Sequence, residues 1–425
     1  MKRVIAILAS LDTKSAEVGF LKEKIEAGGF GTFVIDLSAR GGHNCQSDVG
    51  CEDVTLAAGV SFGQIADAPK HEVITALTDG LCVLLPSLYR QGRFHGVLSA
   101  GGLQNTVMAT GAMRLLPIGV PKLMLSTVAC GGRSFGPFVG TGDIVMIPSI
   151  ADLAGLNPVT EVMLSNLAAA CMGMVERAGR TVIKKGTLIG ATLMGVTNDG
   201  VTRAVGLLEE AGTQVVSFHS TGVGGRCMEE LIQSGIIDAA MDLTLHEITS
   251  GEVFGAGFSA GTIGRLKVGA EKGIPMVVAP GGVDFVDFTV KEFLSGIIGD
   301  PDLRKYNLHN SEVAHIKVFK EEIIRAGELI VERLNASRGP VTMMIPLRGF
   351  RANTLEGQSL YDPEVDQALV QVLETGLAPS VRIVRVDSNL NDEKFSRAAA
   401  EEMLSLLGQV TADAMCEIDE NNRKV

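Results

Sequence analysis

The sequence predicts two consecutive α/β domains, each built on a mostly parallel sheet. Three observations carry this. Short apolar runs alternate along the chain with longer stretches of helical spacing. The alternation stops at a polar stretch over residues 180–186 and then restarts. Both halves open with a strand, a polar turn and a helix, the order of Rossmann-like units.

Each element has its own reason. Residues 4–10 form the uninterrupted apolar run of a buried parallel strand. Residues 15–27 carry Val18, Leu21 and Ile25 at helical spacing and stop at Gly28-Gly29. Residues 32–37 are the second strand. The polar, glycine-rich stretch 38–53 is too long for a simple connection. A helix over 72–89, a strand over 95–99, a helix over 104–115 and strands over 122–127 and 144–147 follow. An Ala/Met/Leu-rich helix over 157–178 closes the first half. Lys184 and Lys185 mark the boundary, giving domains of residues 1–179 and 187–425. The second half reads as strands over 187–194, 213–219, 237–243, 275–279, 341–346 and 381–386. Its helices are expected over 200–211, 225–234, 260–272, 363–375 and 393–407, and the charged tail 417–425 is expected to fray.

Composition narrows the function. With 37 basic and 49 acidic residues the net charge is −12, and no basic stripe is present for general nucleic-acid binding. Nucleotide binding stays open, because backbone N–H groups serve phosphate. No stretch reads as a confident membrane span. Met1-Lys2-Arg3 and the apolar run after it look like a leader, but Asp12, Lys14 and Glu17 follow too soon. Seven cysteines with no CxxC fit a reducing compartment, so a cytoplasmic location is expected. Aromatic residues are 4 % and tryptophan is absent, which speaks against a stacking platform for sugars or bases.

Ligands of open parallel sheets bind beyond the carboxyl ends of the strands, so the segments after each strand are the candidates. After the first comes Ser10-Leu11-Asp12-Thr13-Lys14, with hydroxyls, a carboxylate and a lysine at a helix start, where phosphate is favoured. It matches neither the P-loop nor the GxGxxG pattern, and a plain N-cap by Thr13 or Ser15 explains it equally well. The second strand ends at Asp36, a position suited to a ribose diol, with Arg40 nearby. After the third, Gly101 and Gly102 allow close backbone approach while Asn105 and Thr106 add donors. After the fourth come Thr127, Cys130, Gly131 and Arg133, and Asp143 is a candidate for magnesium held through water. His43, Cys45, Asp48 and Cys51 fit no standard zinc spacing.

In the second half, residues 218–226 (Phe-His-Ser-Thr-Gly-Val-Gly-Gly-Arg) follow a strand and open a helix. They read as a further anion cradle with His219 at its mouth. Thr192, Ser220, Gly222 and Gly224 are the candidate substrate contacts. His219, His246, Glu247 and Asp284 form a candidate acid/base set, and His309-Asn310 is a further candidate.

Several stretches together are distinctive. They include Ala100-Gly101-Gly102, Gly119-Val120-Pro121-Lys122, Asp152-Leu153-Ala154-Gly155-Leu156-Asn157, Gly190-Ala191-Thr192-Leu193-Met194-Gly195, Phe218-His219-Ser220-Thr221-Gly222 and Asp362-Pro363. Over about residues 1–410 the chain resembles the UPF0261 family, the Tm-1-like ATP-binding proteins. The resemblance implies two α/β domains, binding of ATP with Mg2+, and a dimer. It departs from the family pattern at Ala9-Ser10, where Gly-Thr is usual, and at Asn105, where glycine is usual.

The expected function is ATP and magnesium binding. Asp12, Thr13, Lys14, Gly101, Gly102, Asn105 and Thr106 would form the cradle, Asp36 and Arg40 the ribose end, and Thr127 and Gly131 the rest. Phosphoryl transfer or ligation on a small carboxylate or phosphorylated metabolite, in a cleft shared by the domains, would follow. His219, Glu247 and Asp284 would be its catalytic residues. A non-catalytic nucleotide sensor and a nucleotide-independent lyase or hydrolase using His219 are the alternatives.

Overall fold

The computed structural model describes residues 2–40, 46–129, 136–177, 186–257 and 264–422. The chain divides into two compact units, Met1–Ile183 and Lys184–Val425. The candidates His43, Cys45, Cys130, Gly131 and Arg133 lie outside the described residues.

Unit 1 runs β1 (Val4–Ala9), α1 (Leu11–Ala27), β2 (Gly31–Asp36), α2 (Cys51–Ala57), α3 (Phe62–Ile65), α4 (Lys70–Arg90), β3 (Gly96–Gly101), α5 (Leu103–Met113), β4 (Lys122–Ser126), α6 (Gly136–Val139), β5 (Val145–Pro148) and α7 (Pro158–Arg177). Its five strands pair in the order β2-β1-β3-β4-β5, all parallel. Two cores cover the two sheet faces, as a doubly wound sheet requires. One packs Val54, Leu77, Leu81 and Met108 of α2, α4 and α5 against Ala6, Val97 and Met124. The other packs Val18, Leu21, Leu164 and Leu167 of α1 and α7 against Ile5, Leu98 and Leu125. Helices α4 and α7 are long and apolar enough to cross a membrane by length and composition; here Leu77, Leu81 and Leu85 of α4 and Leu164, Leu167 and Val175 of α7 enter these cores, while Val83, Val159 and Val162 stay exposed.

Unit 2 runs β6 (Leu188–Leu193), α8 (Asn198–Glu210), β7 (Gln214–His219), α9 (Val223–Gln233), β8 (Ala239–Thr244), a π turn (Ile248–Val253), α10 (Lys267–Lys272) and β9 (Met276–Gly281). It continues with β10 (Phe285–Thr289), α11 (Val290–Leu294), β11 (Tyr306–Leu308), β12 (Val313–Lys317), α12 (Lys320–Asn335), β13 (Val341–Pro346), α13 (Pro363–Gly376), β14 (Val381–Val386) and α14 (Glu393–Asn422). The six-stranded sheet β14-β13-β9-β8-β6-β7 is parallel throughout. The predicted fold class therefore holds: two Rossmann-like α/β units with mostly parallel sheets.

Three local features depart from the sequence reading. A small antiparallel sheet, β10-β12-β11, is inserted after β9, and α12 follows it. The helix expected over 260–272 begins only at Lys267, because Leu266 sits at φ 70°, outside the helical region. The last helix continues to Asn422, past the expected end at residue 407.

Candidate functional site

In the order β2-β1-β3-β4-β5 the connections leaving β1 and β3 diverge to opposite sides, which opens a crevice beyond their carboxyl ends. A cavity of about 340 Å3 lies there. Ser10, Asp12, Thr13 and Lys14 line it from the β1–α1 junction, and Ala39 and Arg40 from the segment after β2. Lys70 at the start of α4 and residues Gly102, Leu103, Gln104 and Asn105 at the start of α5 complete it. Lys14, Arg40 and Lys70 oppose one lining carboxylate, Asp12.

The two helix starts differ electrostatically. The leading amides of α1 are already satisfied from within. Leu11 N–H donates to Asp36 Oδ1 at 3.2 Å and Asp12 N–H to Ser38 Oγ at 2.9 Å. Ser38 donates to the same Asp36 oxygen through its N–H (2.9 Å) and its hydroxyl (2.5 Å). Asp36 is wholly buried, so the residue expected at a ribose instead neutralises the positive end of α1. Ser10 likewise turns its hydroxyl inward, donating to Leu37 O at 3.1 Å.

Helix α5 is the open one. Its first intrahelical bond runs from Thr106 N–H to Gly102 O, so the amides before it have no helical acceptor, and their residues line the cavity. Gly101 is needed because a Cβ there would lie 2.6 Å from Asn105 Cβ. That space lets Asn105 fold back and donate from Nδ2 to Ser99 Oγ (2.7 Å) and Ala100 O (3.2 Å). Its Oδ1 is buried without a hydrogen-bond partner among the described residues. Thr106 is internal, bonded to Gly102 O (2.9 Å) and Ser126 Oγ (2.7 Å). Thr127 stands beside the loop, its N–H on Gly101 O at 3.1 Å. Lys14 reaches across to the carbonyl of Leu153.

Asp12, Thr13, Lys14, Arg40, Gly102 and Asn105 thus surround one cavity, with Gly101 and Thr127 adjoining. Asp143 does not join them. It precedes β5 and pairs with Lys122, the first residue of β4, at 2.7 Å, also accepting from Gly119 N–H at 2.8 Å. Both lie at the amino ends of the strands, opposite the crevice, so the magnesium assignment to Asp143 is corrected. Lys70 was missed by sequence reasoning. It lies 56 positions beyond Lys14 with no local motif, and only the fold brings them together. Among the described residues, burial pushes the Cys51 and Cys171 thiols up to about 12 and raises those of Cys82 and Cys227, which disfavours the thiolate at each.

In unit 2 the predicted cradle at Gly222–Gly225 already holds an anion, the carboxylate of Glu247. Its Oε1 accepts from Gly222 N–H (2.5 Å) and Gly225 N–H (3.2 Å), and its Oε2 accepts from Arg265 Nε at 2.7 Å. Arg265 also forks onto Asp242 at 2.8 and 3.0 Å and reaches Glu229 at 3.3 Å, all buried. Burial raises Asp242 and Glu229 despite this cation. Burial opposes the charge on Arg265 as well, but its three carboxylates outweigh that and hold it firmly protonated. Gly224 is a packing residue, since a Cβ there would lie 2.1 Å from His219 O. Thr192 Oγ1 donates to Asp242 (2.5 Å) and Ser220 Oγ to Thr244 O (2.9 Å), both wholly buried. Asp284 is buried against Arg351 and Lys317; burial would raise it, but the two cations hold it well below the ordinary carboxylate range. His219 is exposed at the end of edge strand β7, its Nδ1 3.2 Å from Thr221 Oγ1. The structure does not bring His219, Glu247 and Asp284 together as one set, and Thr192, Ser220, Gly222 and Gly224 are engaged in internal contacts. Glu247 and Asp284 belong to different buried ion clusters, and the glycine turn is closed by the protein's own carboxylate.

The fold and this crevice define a doubly wound α/β protein with a cation-lined cavity at its topological switch point. Two family models match the chain. The N-terminal domain of the uncharacterised protein family UPF0261 covers residues 3–180, and the C-terminal domain of that family covers residues 186–407. The chain is 37 % identical over 411 residues to a UPF0261 protein of Clostridium tetani, spanning 96 % of this chain and 100 % of that one. It is 35 % identical over 406 residues to the UPF0261 protein RA0729 of Rhizobium meliloti, spanning 94 % and 98 %. It is also 31 % identical to the ToMV susceptible protein tm-1(GCR26) of Solanum lycopersicum, spanning 94 % of this chain and 55 % of that protein. The chain belongs to the UPF0261 family.

Proposed function

We propose that this protein binds ATP with Mg2+, the polyphosphate lying in the switch-point cavity of unit 1. The observation that carries the reading is the open start of α5 set among Lys14, Arg40 and Lys70 around a cavity of about 340 Å3. The residues present fit a polyphosphate. Asp12 is the one carboxylate among the described lining residues, so it would hold Mg2+ together with phosphate oxygens and water. With that ion bound, the charge of the phosphates is shared and in-line transfer is eased. Phosphoryl transfer or ligation to a small carboxylate is the chemistry such a cradle serves by positioning. A homodimer in the cytoplasm completes the reading.

Calorimetric titration of ATP, with and without Mg2+, tests it. Lys14→Ala is expected to weaken binding at least about tenfold, the loss of one charge-assisted contact. Absence of binding at millimolar ATP, or equal affinity in wild type and Lys14→Ala, rejects the cavity as a nucleotide site.

A further inference from the structure

We propose that unit 2 has its own ligand site, in which Arg351 holds a small carboxylate beside the histidine pair His246 and His315. Strands β8, β9 and β13 are neighbours in the sheet, and His246, Asp284 and Arg351 follow their carboxyl ends. That is the edge where open parallel sheets take ligands. The inserted sheet adds Phe285 and Asp287 from β10 and His315 from β12, with Asp287 and His315 paired in register.

Arg351 is wholly buried, and its Nε donates to both oxygens of Asp284, at 2.9 and 3.0 Å. Its Cζ stands 4.0 Å from the centre of the Phe285 ring, which also contacts His246 (4.4 Å between centroids) and His315 (5.1 Å). Nη1 and Nη2 are buried with no hydrogen-bond partner among the described residues. Native interiors rarely leave such donors empty, and an empty one calls for a ligand, an ion or water. With its Nε side committed to Asp284, the guanidinium offers its end, two nitrogens spaced for the two oxygens of a carboxylate.

The imidazoles supply the second half. Asp287 stands between them, Oδ2 3.5 Å from His246 Nε2 and Oδ1 3.5 Å from His315 Nε2. His246 Nδ1 lies 3.1 Å from Gly282 O, while His315 Nδ1 is buried without a partner among the described residues. His309 stacks on His315 at 4.8 Å. Burial, then the neighbouring Arg351, His309 and His246, lower His315 to about 4 against the pull of Asp287, so it is neutral at pH 7. Lys317 joins Asp284 to Asp366 at 2.8 and 2.6 Å, so the charges of Arg351 and Lys317 are already balanced by these two carboxylates. A further anion is therefore matched by uptake of a proton, on His315, which faces Asp287, or on Asp366, whose carboxyl burial raises to about 6. A cavity of about 350 Å3 lies on the Asp366 side of the cluster, lined by Phe350, Thr354 and Asp366 and by none of Arg351, His246 and His315. All of its residues belong to unit 2, and the proposal stands whether or not unit 1 binds ATP.

Titration of acetate, glycolate, malonate and inorganic phosphate into the full chain tests it, by calorimetry in two buffers of different ionisation heat. At least one carboxylate is expected to bind saturably with proton uptake and to weaken at least tenfold in Arg351→Lys. That variant keeps a charge beside Asp284 but loses the two-nitrogen edge, and its thermal unfolding reports whether it is folded. His315→Gln is expected to retain weakened binding with diminished proton uptake. Silence of every carboxylate at millimolar concentration overturns the proposal. So does phosphate binding alone, or carboxylate binding that survives Arg351→Lys and is lost in Lys14→Ala.

Discussion

His315 shows how one buried residue ties stability to pH. Burial is the main cause that lowers its folded pKa from 6.5 to about 4. The folded state therefore binds fewer protons than the unfolded state in this window. The neutral ring's contribution is complete above pH 6.5 and is lost as pH falls through 4. A shift of this size corresponds to about 3 kcal/mol. Asp366 acts with the opposite sign in an overlapping window, since burial raises it from 3.8 to about 6 and folding gains from its protonation as pH falls. The wild-type profile alone thus conceals the effect, and the difference from His315→Gln isolates it. Urea unfolding from pH 7 to 4 is expected to show wild type losing up to about 3 kcal/mol relative to the variant. Parallel curves would mean that His315 titrates normally. At this scale the sequence was legible in part. The turn at Gly222–Gly225 reads correctly as amides gathered for an anion, but the anion is Glu247, 22 residues beyond Gly225. Arg351 follows the apolar run 341–346, so the strand-end rule that selected Asp284 also reaches it. That its Nη atoms lack partners is a fact of packing, and no spacing encodes it.

Among the elements, α4 and α2 meet closely enough to be tested by one methyl group. A Cβ on Gly80 of α4 would lie 1.8 Å from the carbonyl oxygen of Val54 in α2. That obstacle is backbone and cannot rotate away, so Gly80→Ala must push the helices apart. The better helix propensity of alanine returns about 1 kcal/mol, while overpacking costs about 1–3 kcal/mol or more. Net destabilisation of about 1–2 kcal/mol is expected by urea unfolding, whereas a stabilised variant would show that the helix pair has slack. Element by element, the apolar runs of β1, β3, β4, β6, β8, β9 and β13 announce themselves because both faces of those strands are covered. The three-stranded insert does not, since β11 has only three residues and is partly exposed. Helix α12 carries Ile323, Ala326, Ile330 and Leu334 at helical spacing, a signal that the strand-by-strand reading passed over.

For the whole molecule, the test is whether unit 1 carries the nucleotide site by itself. Each unit has its own parallel sheet with a core on either face. The family models divide at nearly the same place, one ending at residue 180 and the other beginning at 186. Among the described residues the cavity is lined by residues between Ser10 and Asn105, and the carbonyl that holds Lys14 belongs to Leu153. A fragment of residues 1–177 keeps all of these groups, both helix layers and every strand of the five-stranded sheet. A domain of this size buries about 70 % of the surface its unfolded chain exposes, enough to fold alone. The fragment is expected to show a cooperative thermal transition by circular dichroism and to bind ATP with Mg2+ within about threefold of the full chain, under 1 kcal/mol in binding energy. A bound nucleotide should then raise its melting temperature in proportion to the logarithm of ligand concentration, because only the folded state holds the cavity. A fragment that folds cooperatively yet binds no nucleotide, while the full chain binds, would show that the nucleotide needs groups beyond residue 177 and that the cavity around Lys14, Arg40 and Lys70 is an incomplete site.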